Sequence, residues 1–168
     1  IMQPYLFHYI GYFQLMAAVD RWVVYDDVTY IKRGWINRNN LKVNGQRCLF
    51  TVPVAGASQF QRICDVKLDA EGYDRWLVRF RRTLQQSYGH APHFAEAFGL
   101  VDDVLSPGAQ TIAELNLRGL LAVRAYVGLG AEIVPTSRRY GNQDLRGQNR
   151  ILDICRREGA DTYINAIG

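Results

Sequence analysis

The sequence lacks the features that would assign it at once to a membrane, secreted or metal-binding class. Its 168 residues contain no apolar run of the roughly 18 residues that a membrane-spanning helix needs, and no secretory signal pattern opens the chain. The three cysteines, Cys48, Cys64 and Cys155, are odd in number and widely spaced, which argues against a disulfide framework or a zinc site. We therefore expect reduced core thiols in a cytoplasmic protein that does not insert into membranes.

A strong charge of either sign is also absent. The 20 Lys and Arg residues exceed the 16 Asp and Glu residues by only four, and the two signs are interspersed along the chain. This balance predicts no dedicated nucleic-acid surface, although it is compatible with a local phosphate pocket. No P-loop, GxSxG, HExxH or CxxC motif is present. His90 and His93 lack the further ligands that a metal site requires, so no metal is predicted.

Apolar β-rich runs alternate with amphipathic helical segments along the chain. Its opening reads as strand, loop, helix and strand, which is a βαβ unit. The apolar pattern then predicts antiparallel strands over 49–54 and 64–68, helices over 73–88, 92–105 and 111–128, a strand over 132–135, a helix over 148–158 and a last strand over 162–165. This order predicts an α/β fold: a single layered domain over residues 1–168, with a mostly parallel sheet, a nucleotide-binding-like βαβ start, an antiparallel strand insertion and a helical middle section.

The loop within residues 2–12 is the first candidate for a ligand site. In open α/β sheets, ligands bind at the carboxyl ends of strands, beside the loop that leads into the first helix. Gly11 would let the backbone approach a ligand, and a helix that starts there would direct free N–H groups at an anion. His8 can act as a base or as a hydrogen-bond donor. The alternative interpretation is that Tyr5, Tyr9 and their neighbours only pack the loop.

The loop over residues 25–39 follows the second predicted strand and should lie at the same rim. Adjacent carboxylates on an extended chain point to different sides, so one of Asp26 and Asp27 would face the site as a base or hydroxyl anchor. The other would orient Lys32 or Arg33. The alternative interpretation is a solvated turn held by salt bridges.

The remaining polar and aromatic side chains of this loop suit an anionic, ring-bearing ligand. Guanidinium and ammonium groups at Lys32, Arg33 and Arg38 can hold phosphate or carboxylate. Trp35 can stack on a base or sugar, and Asn37 and Asn39 suit polar recognition. A third candidate, residues 136–140, leaves a strand with two cations and reads either as a phosphate contact or as a solvated loop.

Several motifs of the chain resemble the WbqC-like protein family. They are MQPY at 2–5, YIGYF at 9–13, DRWVVYDDV at 20–28, YIKRGWINRN at 30–39, TVPV at 51–54 and GADTYIN at 159–165. The similarity spans nearly the whole chain. One departure is His8, where the family more often has proline, so no shared catalytic role is expected of it. The family usually continues past the last glycine, which predicts a truncated C-terminus.

The resemblance implies a role in making surface polysaccharides. Family members occur in gene clusters for O-antigen and related polysaccharides, and a glycine (aminoacyl) transferase role has been proposed for them. The expected function is therefore the transfer of an acyl or aminoacyl (glycyl) group to the amine of a nucleotide-linked amino sugar. The expected partners are that nucleotide sugar and an activated acyl donor, and no cofactor is specified.

Two other functions stay open at this point. The first loop weakly resembles the nucleotidylyltransferase loop that ends in HxGH, which favours a nucleotide-dependent ligase or nucleotidylyltransferase. Tyr9 and Tyr12 replace the two histidines, however, so the usual histidine-assisted route is in doubt. The third possibility is a non-catalytic module that binds a nucleotide sugar.

The predicted site assumes that the two loops frame one crevice holding a negatively charged ligand. Its predicted catalytic residues are Asp26 and Asp27, as proton acceptors, with Lys32 and Arg38 holding charge. Its predicted substrate-binding residues are Gln3, Tyr5, Gly11, Tyr12, Tyr30, Arg33, Trp35, Asn37 and Asn39.

Overall fold

The computed structural model describes residues 1–165. In chain order the elements are α1 (Ile10–Ala17), β1 (Arg21–Val23), β2 (Arg38–Val43), β3 (Gln46–Thr51), α2 (Ala70–Tyr88), α3 (Phe94–Leu105), α4 (Ile112–Tyr126), β4 (Glu132–Val134) and α5 (Gly147–Arg157). Two short 3-10 turns, Ile63–Asp65 and Ser137–Tyr140, join them.

A parallel strand pair forms the centre of the α/β layer. β1 and β4 run parallel, with Trp22 opposite Ile133 and Val23 opposite Val134. On the other side of β1, the N–H of Met2 donates to Val23 O at 3.0 Å and the N–H of Tyr25 donates to Met2 O at 2.8 Å. α1 connects the segment at Met2 to β1, which confirms the predicted βαβ start and the α/β class with a parallel sheet.

An antiparallel hairpin forms the predicted insertion, although it starts earlier than expected. β2 pairs with β3 over the full length of both strands. The turn between them is Asn44-Gly45, with φ of +50° and +77°, the conformation that tight hairpins with matching twist require. Arg38 and Asn39 therefore begin a strand rather than lie in a loop.

Two of the predicted strands are wrong. Residues 63–65 form a 3-10 turn, and residues 67 and 68 make only isolated bridges, to Thr111 and Val54. The reason is that Ile63 and Val66, three residues apart, are both fully buried, a spacing that fits a turn better than a strand. Residues 162–165 do not form a strand either, and they are exposed, with no buried face to pack on the sheet.

The helical middle section builds the main core. Asp69 accepts the N–H of Gly72 and begins α2, whose buried face carries Trp76, Phe80 and Leu84. Burial of each such side chain contributes roughly 1.5–3 kcal/mol. Thr111 caps α4 by accepting the N–H of Glu114 at 3.2 Å.

The cysteines are free thiols, but they are not all in the core. Cys64 and Cys155 are half-buried, whereas Cys48 is exposed on the hairpin. The expectation of three core thiols is therefore wrong for Cys48, because residues 46–49 of β3 are exposed. None of the helices in residues 1–165 combines the length and hydropathy that crossing a bilayer requires.

Candidate functional site

Buried polar side chains gather where the two parallel strands end. The chain leaves β1 through Tyr25, Asp26 and Asp27, and it leaves β4 through Thr136 and Ser137. Both carboxylates are buried, with 5% of Asp26 and 3% of Asp27 exposed. Because parallel strands end at the same edge of a sheet, these groups meet at the position where α/β folds bind ligands.

Asp26 joins the two strand ends to each other. Its Oδ1 accepts hydrogen bonds from Thr136 Oγ1 at 2.8 Å, from the N–H of Ser137 at 3.0 Å and from Ser137 Oγ at 3.3 Å. Burial raises the pKa of Asp26, and these hydrogen bonds offset only part of that increase.

Asp27 forms a buried ion pair with α5. Its Oδ2 accepts from Arg150 Nη2 at 2.5 Å and from Gln143 Nε2 at 2.9 Å, and its Oδ1 accepts from the hydroxyl of Ser137. Burial alone would raise the pKa of Asp27, but the hydrogen bonds from Ser137, Arg150 and Gln143 outweigh it, so that its pKa is lowered. Arg150 is held a second time because its Nε donates to Asn142 Oδ1 at 3.0 Å.

A cavity of about 380 Å³ opens beside this ion pair. The Arg150 guanidinium lies 5.0 Å from the centre of the Tyr25 ring, over its face, an arrangement that fixes the cation further. The lining residues are Tyr25, Asp27, Val28, Thr29, Arg62, Gln143, Leu145, Arg146, Gly147 and Arg150. The lining carries three arginines and one carboxylate, and this excess of positive charge makes the cavity suited to an anion.

The other predicted residues lie mainly where the N-terminal loop meets residues 30–39. The N–H of Leu6 donates to Trp35 O at 3.1 Å, and Asn39 Nδ2 donates to Leu6 O and Phe7 O at 2.8 and 2.7 Å. Asn116 of α4 joins both loops through Pro4 O at 3.1 Å and Ile36 O at 2.8 Å. The two predicted loops are therefore in contact.

Much of the hydrogen-bonding capacity in this contact is used internally. Asn37 accepts from the Tyr30 hydroxyl at 2.8 Å and donates to Val52 O at 2.9 Å, and all three residues are buried. The Tyr12 hydroxyl donates to Gln3 O at 2.5 Å, and the Tyr5 hydroxyl to Gln3 Oε1 at 3.2 Å.

Gly11 was predicted to let a ligand approach the backbone, but the space beside it is occupied by the ring of Tyr9 from the same loop. A Cβ on Gly11 would collide with the ring of Tyr9, so the missing side chain has a local packing reason. Tyr9 itself is 64% exposed.

The predicted cations lie outside the cavity. Lys32 and Arg33 are exposed, and Arg38 Nε donates to Gly34 O at 3.1 Å. Trp35 is 44% exposed, and the Arg47 guanidinium lies 5.9 Å from its ring centre. Of the residues predicted as catalytic, the structure therefore brings Asp27 to the cavity wall, but not Asp26, Lys32 or Arg38. Arg33 and Trp35 do not line the cavity either.

His8 is held inside the N-terminal loop. Its Nε2 accepts the N–H of Tyr5 at 3.1 Å, and its ring lies 4.4 Å from that of Tyr12. Burial lowers the pKa of His8 to about 4, so the ring is neutral at physiological pH.

Sequence reasoning missed most of the cavity wall. Arg62, Gln143, Arg146 and Arg150 were not singled out. One signal was available for Arg150: it lies four residues before the fully buried Ile154, on the buried face of α5. The carboxylate of Asp27, more than 100 residues away in the sequence, balances the buried positive charge of Arg150.

Residues 136–140, the third candidate, divide between the core and the surface. Ser137 is fully buried between the two aspartates, whereas Arg138 and Arg139 are exposed. Arg138 Nη1 lies 3.5 Å from Asp65 Oδ1. This segment therefore contributes a serine to the site rather than its cations.

A second cavity, of about 500 Å³, lies towards the opposite end of β1, along the last part of the described chain. Arg21 crosses its wall and pairs with Glu158 at 2.5 Å and Glu132 at 2.6 Å. Arg21 is therefore neutralised by these two glutamates, whereas Asp20 and Asp161 also line the cavity, so its remaining charge is negative. Over residues 1–165, no group of three or more His, Cys, Asp or Glu side chains is placed to hold a metal ion.

Comparison with known proteins gives one family. A model of the WbqC-like protein family matches residues 3–168, which include all of the segments that carry the resemblance except Met2. The uncharacterized protein Rv1507c of Mycobacterium tuberculosis is 34% identical over 167 residues, which cover 98% of this chain and 70% of that protein. No solved structure is significantly similar to the chain.

Proposed function

The chain belongs to the WbqC-like protein family, and we propose that it is a transferase in the biosynthesis of surface polysaccharides such as O-antigen. It transfers an acyl or aminoacyl group, such as glycyl, to the amine of a nucleotide-linked amino sugar. The observation that supports this proposal most strongly is the cationic cavity at the carboxyl ends of the parallel strands. A cavity of this charge and position suits a ligand that carries phosphate.

The reaction needs no covalent enzyme intermediate. The amine nitrogen attacks the acyl carbon, the new C–N bond forms, and the bond between the acyl carbon and the donor's leaving group breaks. One proton leaves the amine, and the leaving group takes one up. Negative charge that develops on the acyl oxygen is balanced by the cationic side chains of Lys32, Arg33 and Arg38.

The two aspartates have different parts in this proposal. Asp26 is the stronger base of the pair because burial raises its pKa. Asp27 is ion-paired with a lowered pKa, so it holds Arg150 and Gln143 in place at the cavity wall. Lys32, Arg33 and Arg38 are proposed to contact charges of the substrates outside the cavity.

A product assay tests the proposal and separates it from its alternatives. The protein is incubated with nucleoside-diphosphate-linked amino sugars and acyl or aminoacyl thioesters, and the amide is detected by mass spectrometry. Amide formation without a nucleoside triphosphate supports the transferase. A requirement for the triphosphate, with release of pyrophosphate or AMP, would instead identify a ligase or nucleotidylyltransferase.

Two variants test the residue assignments. Asp26→Asn removes the proposed proton acceptor and Arg38→Ala removes a proposed charge contact, and both are expected to lose activity while remaining folded. Arg82→Ala, at an exposed position of α2, is the matched control and should keep activity. Wild-type turnover by both Asp26→Asn and Arg38→Ala would refute these assignments.

A non-catalytic binding module is the second candidate, and one observation favours it. Both carboxylate oxygens of Asp27, the carboxylate at the cavity wall, already accept hydrogen bonds from protein groups. A ligand could therefore be held there without a free base beside it. A thermal shift with nucleotide sugars, together with no product from any donor, would establish this candidate in place of the transferase.

A further inference from the structure

We propose that the cavity is a diphosphate subsite, formed by the guanidinium groups of Arg62, Arg146 and Arg150 together with the N-terminus of α5. This inference rests on the proposed function, because a diphosphate is the part of a nucleotide-linked sugar that this chemistry recognises. It assigns the anion to residues outside the two loops from which the site was predicted.

Arg150 has an unused donor at the cavity. The residue is only 4% exposed, yet it lines the cavity. Its Nε is bonded to Asn142 and its Nη2 to Asp27, whereas Nη1 has no hydrogen-bond partner within residues 1–165. A buried guanidinium with one free donor edge suits a phosphoryl oxygen, since charge-assisted hydrogen bonds of this kind are strong.

The N-terminus of α5 contributes backbone donors at the same place. No side chain caps this helix, and its first turn contains no acidic residue. Arg146 and Gly147, at its start, both line the cavity. Uncapped N–H groups and the positive end of the helix dipole favour a phosphate in this position.

The cations come from separate parts of the chain. Arg62 is exposed, and its backbone forms an isolated β-bridge with Thr29. Arg146 and Arg150 belong to the start of α5. Asp27 neutralises one of the three arginines through its ion pair, which leaves two cations for the ligand. Two linked phosphoryl groups match that excess of charge better than one carboxylate does.

Titration calorimetry with inorganic pyrophosphate and inorganic phosphate tests the subsite. We expect pyrophosphate to bind at least tenfold more tightly than phosphate. Arg62→Gln and Arg146→Gln should each weaken pyrophosphate binding by about tenfold, the loss of one charge-assisted contact. Both positions are exposed, so these variants are expected to fold.

Arg156→Gln is the matched control, because Arg156 is an exposed arginine in the last turn of α5. It should bind pyrophosphate as the wild type does. The inference is overturned if pyrophosphate does not bind, if phosphate binds equally well, or if Arg156→Gln weakens binding as much as Arg146→Gln does.

The two proposals fail in distinguishable ways. Pyrophosphate binding that depends on Arg62 and Arg146, without acyl transfer to any nucleotide sugar, would refute the transferase and keep the subsite. Acyl transfer with unchanged kcat and KM in Arg62→Gln and Arg146→Gln would refute the subsite and keep the transferase.

Discussion

Two regions formed by the polar and aromatic loops have different structural roles. At the end of β1, the chain directs Asp27 to a cavity where Arg150 keeps a free donor. At the contact between the N-terminal loop and residues 30–39, the side chains of Asn37 and Asn39 are bonded to backbone carbonyls of the protein. We call these two regions the strand-end site and the loop contact.

The difference shows that a dense polar motif can form either a ligand-binding site or a set of hydrogen bonds that hold two loops together. Hydrogen bonds to buried carbonyls stabilise the loops, because an unsatisfied buried polar group would cost about 1–3 kcal/mol. Side chains committed in this way have less capacity left for a ligand. The strand-end site differs because its charged groups border open space.

The largest expected effect is the loss of stability when the buried ion pair of the strand-end site is broken, since an exposed surface ion pair would cost much less. Arg150→Met leaves Asp27 buried without its cation and should lower the free energy of unfolding by about 3–5 kcal/mol. Urea denaturation measures this loss. The double variant Arg150→Met/Asp27→Asn should recover a substantial part of it. A loss below about 1 kcal/mol would place the pair among exposed salt bridges.

The loop contact should respond in stability and not in anion binding. Asn116→Ala removes the hydrogen bonds to Pro4 O and Ile36 O, at a cost of about 2 kcal/mol in the free energy of unfolding. Its affinity for pyrophosphate, measured by calorimetry, should equal that of the wild type. A tenfold loss of that affinity would erase the distinction between the two regions.

His8 should make the loop contact sensitive to acid. Its folded pKa, about 4, lies below the ordinary value of 6.5, so the unfolded chain binds the proton first as the pH falls. Stability is complete above pH 6.5 and is lost towards pH 4, by about 2 kcal/mol between pH 7 and pH 4.5. Urea denaturation across this range should show a smaller loss for His8→Gln. An equal loss in both proteins would contradict the role of His8.

The smallest effect is expected at the exposed edge of the loop contact. Trp35 is 44% exposed, and its stacking with Arg47 is open to solvent. Trp35→Ala should therefore change the free energy of unfolding by about 0.5 kcal/mol or less. A loss above about 2 kcal/mol in urea denaturation would mean that this ring stabilises the loops as the buried asparagines do.

Local sequence patterns predicted the elements that depend on local chemistry. The apolar face of α2 and the Thr111 cap follow from spacing and side-chain type. The Asn44-Gly45 pair is a strong local signal for a hairpin as well, but the strand that precedes it was predicted as a loop up to Asn39. The turn at 63–65 could not be predicted in the same way, because alternating apolar residues also fit a strand.

The cavity depended on information that a linear sequence does not display. Asp27 and Arg150 are 123 positions apart, and only the parallel pairing of β1 with β4 brings their segments to one edge. Asp27 was found because it directly follows a strand. Arg62 and Arg146 resemble other surface arginines until the fold places them around a common space.

Backbone amide chemical-shift mapping during titration with inorganic pyrophosphate tests the central claim most directly. If the strand-end site is the anion site, the largest shifts fall on Gly147, Gln148 and Arg150 at the start of α5, and the amides of Lys32, Arg33 and Trp35 remain unchanged. The largest shifts at residues 32–35, with none at the start of α5, would contradict it.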